Sequence, residues 1–237
     1  MNNYSGHITY GGEKLPFDVF YTDRKTLEIA VHPNSRVTVK APKDTVPEMI
    51  RTRLDKRARW ITKQINYFRK FEPRTPARRY IGGETHLFLG RQYRLKIRTR
   101  HISTVKLKGS YFFVETPDPH DPLKIEDLLD KWYKEHALLI FSRRLEQCYE
   151  YASKLRVQFP VIRLRKMVKR WGSCSKSGAI LLNTALIKAP LYCIDYVIMH
   201  ELCHLKVHSH NNGYSKLLSK YLPDWKERKA RLESVFI

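Results

Sequence analysis

The stretch Ile194-Asp195-Tyr196-Val197-Ile198-Met199-His200-Glu201-Leu202-Cys203-His204-Leu205 sets the reading of the whole chain. Ile194, Val197, Ile198 and Leu202 recur at helical spacing, so the segment reads as a buried helix. On that helix His200 and His204 stand at i and i+4, about 40° apart at 3.6 residues per turn. Both imidazoles can reach one metal ion. Glu201 lies one residue round the helix, where its carboxylate addresses a water held by the metal rather than the metal itself. H-E-x-x-H on a helix is the arrangement that zinc peptidases use.

A catalytic zinc takes three protein ligands and keeps one position for water. Two further histidines follow, His208 and His210. His208 continues the same helix row, and three ligands on one straight row drift too far apart to converge on one ion. His210 is therefore the preferred third ligand, because the chain can leave the helix, turn, and bring it back. Asn211, Asn212 and Gly213 supply the turn chemistry. Asp195 points away from the ligand face and reads as a helix-packing residue. Cys203 reads as a small buried apolar residue.

Outward from this segment the chain alternates strand and helix signals. Leu15–Tyr21, Leu27–Val31 and Val37–Val39 show period-2 alternation between turn signals, which predicts a small antiparallel sheet. An amphipathic helix follows through Met49, Leu54, Trp60, Ile61 and Ile65 and is expected to end near Glu72-Pro73. Two hairpin-like pairs come next, over 87–97 and 105–115. A long helix is predicted over 124–155, a strand over 161–169, a returning strand over 179–182, and helices over 190–205, 212–221 and 224–235. Trp60 and Trp132 read as core. No internal repeat is visible. The loop Thr116–Pro122 is the best internal boundary. It divides a β-rich part, residues 1–120, from a catalytic part, residues 121–237, within one integrated family domain.

The chain has 237 residues and a net charge of +22. Between Arg51 and Lys108 there are 18 basic and 3 acidic residues, so this quarter of the chain holds most of the excess. Arg94, Lys96, Arg98 and Arg100 fall on one face of a strand, next to Lys106 and Lys108. Such a field attracts nucleic acid or another polyanion. No segment is apolar enough to span a membrane. Met1–Tyr10 shows no secretory signal, and the four cysteines show no disulfide pattern. A cytoplasmic protein with free thiols and no membrane partner is expected.

The motifs extend over most of the chain. Arg170-Trp171-Gly172-Ser173-Cys174-Ser175, Gly178–Asn183, Leu186, Ala189-Pro190, Ile194–Val197, His200–Leu205, His210 and Tyr214 together resemble the YgjP-like metallopeptidase family of zincins. More distantly they resemble the SprT-like and WLM metallopeptidases. Arg24–Leu27, Val37–Val39, Ala41-Pro42, Trp60-Ile61, Gly82–Glu84, Leu89–Arg91, Tyr93 and Leu95 match the family's N-terminal half. The chain departs from the family at Asn211–Tyr214, where an aromatic survives as Tyr214. The resemblance implies an α+β zincin-like fold, bound Zn2+ and hydrolase activity on a peptide or protein.

The chemistry expected of such a site is hydrolysis by a zinc-activated water, with zinc on His200, His204 and His210 and Glu201 as general base. Tyr214, His208 and Arg170 are candidates to stabilise the oxyanion. Asn183 is a candidate to bond an extended peptide. Two rival readings stand beside it. One is a metal-dependent nucleotide phosphohydrolase, with the basic strands holding phosphates. The other is a nucleic-acid-binding module with a structural metal.

Overall fold

The computed structural model describes residues 3–32, 34–69, 78–168, 170–175 and 178–236, with only the backbone of 235 and 236. The chain forms two compact units, Met1–Pro76 and Ala77–Phe236. The fold is mixed α+β, with strands dominating the N-terminal part and helices the C-terminal part.

In the first unit the strands are β1 (Tyr4–Tyr10), β2 (Glu13–Thr22), β3 (Glu28–Val31) and β4 (Val37–Pro42), followed by helix α1 (Pro47–Arg69). The sheet order is β1-β2-β4-β3. Val19, Val37, Val39 and Ala41 alternate inward and are buried. They meet Ile50, Leu54, Ala58, Ile61 and Ile65 of α1 in one core. Trp60 falls off this helical stripe and is 39% exposed, so it is not core. The expected helix end at Glu72-Pro73 lies outside the described residues.

The second unit opens with β5 (Thr85–Phe88), β6 (Arg91–Thr99), β7 (Thr104–Lys108) and β8 (Tyr111–Thr116), followed by helix α2 (Pro122–Tyr151). Its sheet order is β5-β6-β8-β7. This is the topology of the first unit repeated. In both, the outer pairs are antiparallel and the central pair, β2–β4 or β6–β8, is parallel. The expected all-antiparallel sheet is corrected by those central pairs. Alternation reports which face is buried and leaves the pairing partner open. The repeat escapes the sequence for the same reason, since the two copies share a pattern of burial rather than residues.

The expected division at Thr116–Pro122 also differs from the compact units. Leu95, Phe112 and Val114 of the second sheet pack with Ile125, Leu129, Trp132 and Tyr133 of α2 in one core. The loop therefore joins two elements that bury each other. Asp121 caps α2, its side chain accepting from the Leu123 and Lys124 amides, and Pro122 occupies the first turn.

The remainder is β9 (Ile162–Arg165), β10 (Gly172–Cys174), β11 (Ile180–Asn183), and helices α3 (Leu191–Lys206), α4 (Asn212–Tyr221) and α5 (Trp225–Phe236). Short 3-10 turns cover Ser153–Leu155 and Thr184–Lys188. β11 is the middle strand of its sheet, antiparallel to β10 and parallel to β9. The predicted end of the β9 strand at Lys169 lies outside the described residues. Helix α3 is buried on almost every side, from Cys193 to His204. Arg144 of α2 grips Asp195 of α3 through both guanidinium branches, Nε at 2.6 Å. The entry to α3 is held by the β5–β6 turn. The Leu89 and Gly90 amides donate to the Ile187 and Lys188 carbonyls at 2.9 and 3.0 Å. Gly90 has φ +79°, and a Cβ there would lie 2.7 Å from Pro190 Cγ, so only glycine fits. Among the described residues no helix is long and apolar enough to cross a membrane. All four cysteines are free.

Candidate metal centre

Helix α3 presents His200 and His204 one turn apart, and the chain then turns back through 207–211. Asn211 makes that return specific. It is the N-cap of α4, and its side chain accepts from the Tyr214 amide at 2.9 Å. His210 immediately precedes the cap and Tyr214 sits in the first turn. One capping residue thus sets both side chains against α3.

Nε2 of His210 lies 3.0 Å from Nε2 of His204 and 3.3 Å from Nε2 of His200. The ligand atoms of the three rings all fall within 4.8 Å of one another. The edge of a tetrahedron with Zn–N bonds of about 2.0–2.1 Å is about 3.3 Å, so the spacing fits one small cation. The other ring nitrogens say the same. Nδ1 of His204 lies 3.0 Å from the Val207 carbonyl, which can only accept, so Nδ1 carries the proton. Nδ1 of His200 lies 2.6 Å from Tyr214 Oη, and that hydroxyl donates to the His200 carbonyl at 3.3 Å. Nδ1 of His200 therefore donates to Oη. Both Nε2 atoms are left as lone pairs, and each lies within 3.3 Å of Nε2 of His210. Burial, then the neighbouring imidazoles, holds the His200 pKa down to about 3. Burial likewise lowers that of His204. Both rings are neutral at pH 7, the state a metal requires.

A cleft of about 950 Å3 opens over these rings. Its walls are α3 on one side and Arg170–Ser175 on the other, with His208 and His210 at the rim. Glu201 lies in the wall, 4% exposed. Burial pushes its carboxyl up to about 7, against the opposing pull of the Arg170 guanidinium. The carboxylate rests on Gly172, where a Cβ would lie 2.6 Å from Oε1. Cys174 lines the same wall, and burial together with Glu201 raises its thiol pKa.

The sequence model of the YgjP-like metallopeptidase domain matches residues 25–235. The chain belongs to the YgjP-like metallopeptidase family. Among solved structures it is similar to the metallopeptidase zymogen abylysin of Pyrococcus abyssi, at 24% identity over 39% of this chain and 90% of that one, with TM-score 0.36. It is also similar to the metallopeptidase zymogen jannalysin of Methanocaldococcus jannaschii, at 20% identity over 41% of this chain and 97% of that one, with TM-score 0.36. No curated protein matches it.

In this YgjP-like chain the predicted site residues separate into two groups. His200, Glu201, His204, His208, His210 and Arg170 meet in the cleft. Tyr214 and Asn183 do not line it. Tyr214 is buried and its hydroxyl sits at Nδ1 of His200, the opposite side of the ring from the converging Nε2 atoms. Its ring also stacks on His204 with centroids 4.3 Å apart. It contacts two imidazoles, the His200 ring from the side away from the converging nitrogens. Asn183 is buried on the central strand β11, away from a free sheet edge. Its amide donates to the carbonyls of Met167 and Arg170 at 2.8 and 3.0 Å and accepts from the Ala185 amide at 3.1 Å. It therefore pins the approach to Arg170 instead of bonding a peptide. Among the described residues, the outer strand that lines the cleft is β10. Gly172 is the residue that sequence reasoning passed over, because its importance lies in a contact with another element.

Proposed function

We propose that this metallopeptidase is a zinc enzyme whose ion is held by His200, His204 and His210, with Glu201 as its proton carrier. The observation that carries the reading is the convergence of three Nε2 atoms, two of them left as lone pairs by protons held at Nδ1. Three imidazoles suit zinc. Held by those three imidazoles, a zinc ion would supply an acidified water and Lewis-acid polarisation of the scissile carbonyl. Everything else belongs to the chain's own residues. Glu201 accepts a proton at a carboxylate oxygen and returns it to the leaving amine. The backbone of Gly172, flat against that carboxylate, keeps it in one place. The outer edge of β10 offers main-chain groups to an extended substrate, which would add as one more strand. Arg170, which lines the cleft and whose charge acts on the Glu201 carboxyl, is our candidate to stabilise the oxyanion.

The phosphohydrolase reading finds less support. Among the described residues of the cleft Arg170 is the only ammonium or guanidinium group. A triphosphate would call for several.

The test is metal analysis of the purified chain, paired with cleavage of an unstructured protein and of a nucleotide panel. The expected result is one zinc per chain and peptide cleavage that is abolished by chelator, restored by zinc and lost in Glu201→Gln. His210→Ala should lose the metal and His208→Ala should keep it. Phosphate release without any peptide cleavage would overturn the reading.

A further inference from the structure

We infer that the outer face of the second sheet binds single-stranded nucleic acid, with Tyr111 and Phe113 stacking on bases and five flanking cations holding phosphates. The strand register builds the surface. Across β6, β8 and β7, Tyr111 lies between Arg94 and Lys108, and Phe113 lies between Lys96 and Lys106. Each aromatic ring is thus bracketed by two cations on the same face. In the neighbouring row Arg98 and Thr104 flank Glu115, the one acidic residue there. Lys96 Nζ stands 3.8 Å from the Tyr111 centroid, and the Arg98 guanidinium 4.7 Å from that of Phe113.

The cations are not committed elsewhere. Arg94, Lys96, Arg98, Lys106 and Lys108 are exposed, and among the described residues none has an ion-pair partner. Arg98, Lys106, Lys108 and Phe113 also line a groove of about 930 Å3 along β7, room enough for a nucleotide, where three cations outnumber the two carboxylates of Glu115 and Glu135.

The fold does not require this surface. The first sheet has the same topology, and its equivalent rows are Asp18-Thr38-Ala30 and Phe20-Lys40-Glu28. Those carry mixed charge and a single aromatic ring. The two modules share an architecture and differ in what the outer face carries, so the basic aromatic face is a property of the second sheet alone.

The chemistry selects the ligand. Cations alone would accept any polyanion. Rings set among cations suit a chain that alternates phosphates with flat bases, and stacking tolerates every base. The Tyr111 and Phe113 centroids are 6.0 Å apart. Bases in a duplex strand stand only about 3.4 Å apart. A strand must therefore splay its bases to use both rings, which single strands can do and duplexes cannot. A flat multistranded face also fits neither groove of a duplex as a helix or a two-stranded ribbon does.

Fluorescence anisotropy tests this on the full chain, with a labelled oligothymidylate of about 12 nucleotides. Competitors are a duplex of equal length, heparin and polyglutamate. The single strand should bind best. Tyr111→Leu with Phe113→Leu should weaken it about tenfold or more, while circular dichroism and metal content stay unchanged. Lys106→Gln with Lys108→Gln lies on exposed positions and leaves the core intact. It should weaken binding and flatten the slope of log K against log salt by about 1.4. Duplex, heparin or polyglutamate competing as well as the single strand would overturn the inference. So would an unchanged affinity in either double variant, or no binding at low salt. None of these readouts depends on peptidase activity.

Discussion

Gly172 and Glu201 touch so closely that a methyl group on Gly172 would stand 2.6 Å from the Glu201 carboxylate oxygen. One residue belongs to an edge strand and the other to a buried helix. The absent side chain is what makes room for the acid. Because the clashing atom is the far end of a side chain, Gly172→Ala should be relieved by a shift of the carboxylate rather than by unfolding. A shift of about 1 Å in a reacting group costs on the order of 100-fold in rate. Peptidase kcat should fall by about that factor, with zinc content kept and stability changed by less than about 1 kcal/mol. Unaltered kcat would show that Glu201 has no fixed position to lose.

Tyr214 is predicted to tune the proposed metal site through His200. Tyr214→Phe removes the hydroxyl at Nδ1 and leaves the ring stacked on His204. Partners that orient a ligating histidine are each worth about 10- to 100-fold in metal affinity. Competition with a zinc-binding dye should show a loss of that size, and kcat of the fully loaded variant should change much less. A fall in kcat at full loading with zinc affinity intact would instead make the hydroxyl a substrate contact.

Acid should unfold the second unit partly through His86. This side chain is buried, beside Glu84, whose carboxylate also accepts from the Arg79 and Tyr80 amides at 2.8 Å. Burial lowers the His86 pKa to about 4, and the nearby Glu84 charge offsets only part of that. An unfolded histidine titrates near 6.5, so between about 6.5 and 4 the unfolded chain binds a proton that the folded chain refuses. Stability is present in full above that window and is lost as pH falls through it, by on the order of 3 kcal/mol. Glu84, with a lowered pKa, acts in the same direction. Denaturant titrations at pH 7.5 and 4.5 should show a smaller difference in His86→Gln than in the wild type. Equal differences would remove His86 from the acid response.

The C-terminal helices were readable in advance because their evidence is local. The predicted helices over 212–221 and 224–235 correspond to Asn212–Tyr221 and Trp225–Phe236. The 200/204 pair needs only helical spacing, and His210 needs only a turn of suitable length. Tyr214 was legible as a candidate for the oxyanion but not as the partner of Nδ1. That bond exists only because α4 folds back along α3. The place of Asn183 was not legible for a related reason, since an amide after an apolar strand looks the same whether the strand is central or at an edge.

The order of residues alone determined that this chain would carry an α+β core, a buried helix with two histidines one turn apart and a concentration of positive charge. Each of those follows from spacing or composition within a short window. Only the folded molecule decided which strands are neighbours, which nitrogen of His200 carries a proton, and that Gly172 must stay bare. It alone also set the aromatic rings of β8 between the cations of β6 and β7. Those facts depend on contacts between segments far apart in the chain, whose geometry is set by packing and leaves no periodic trace in either segment.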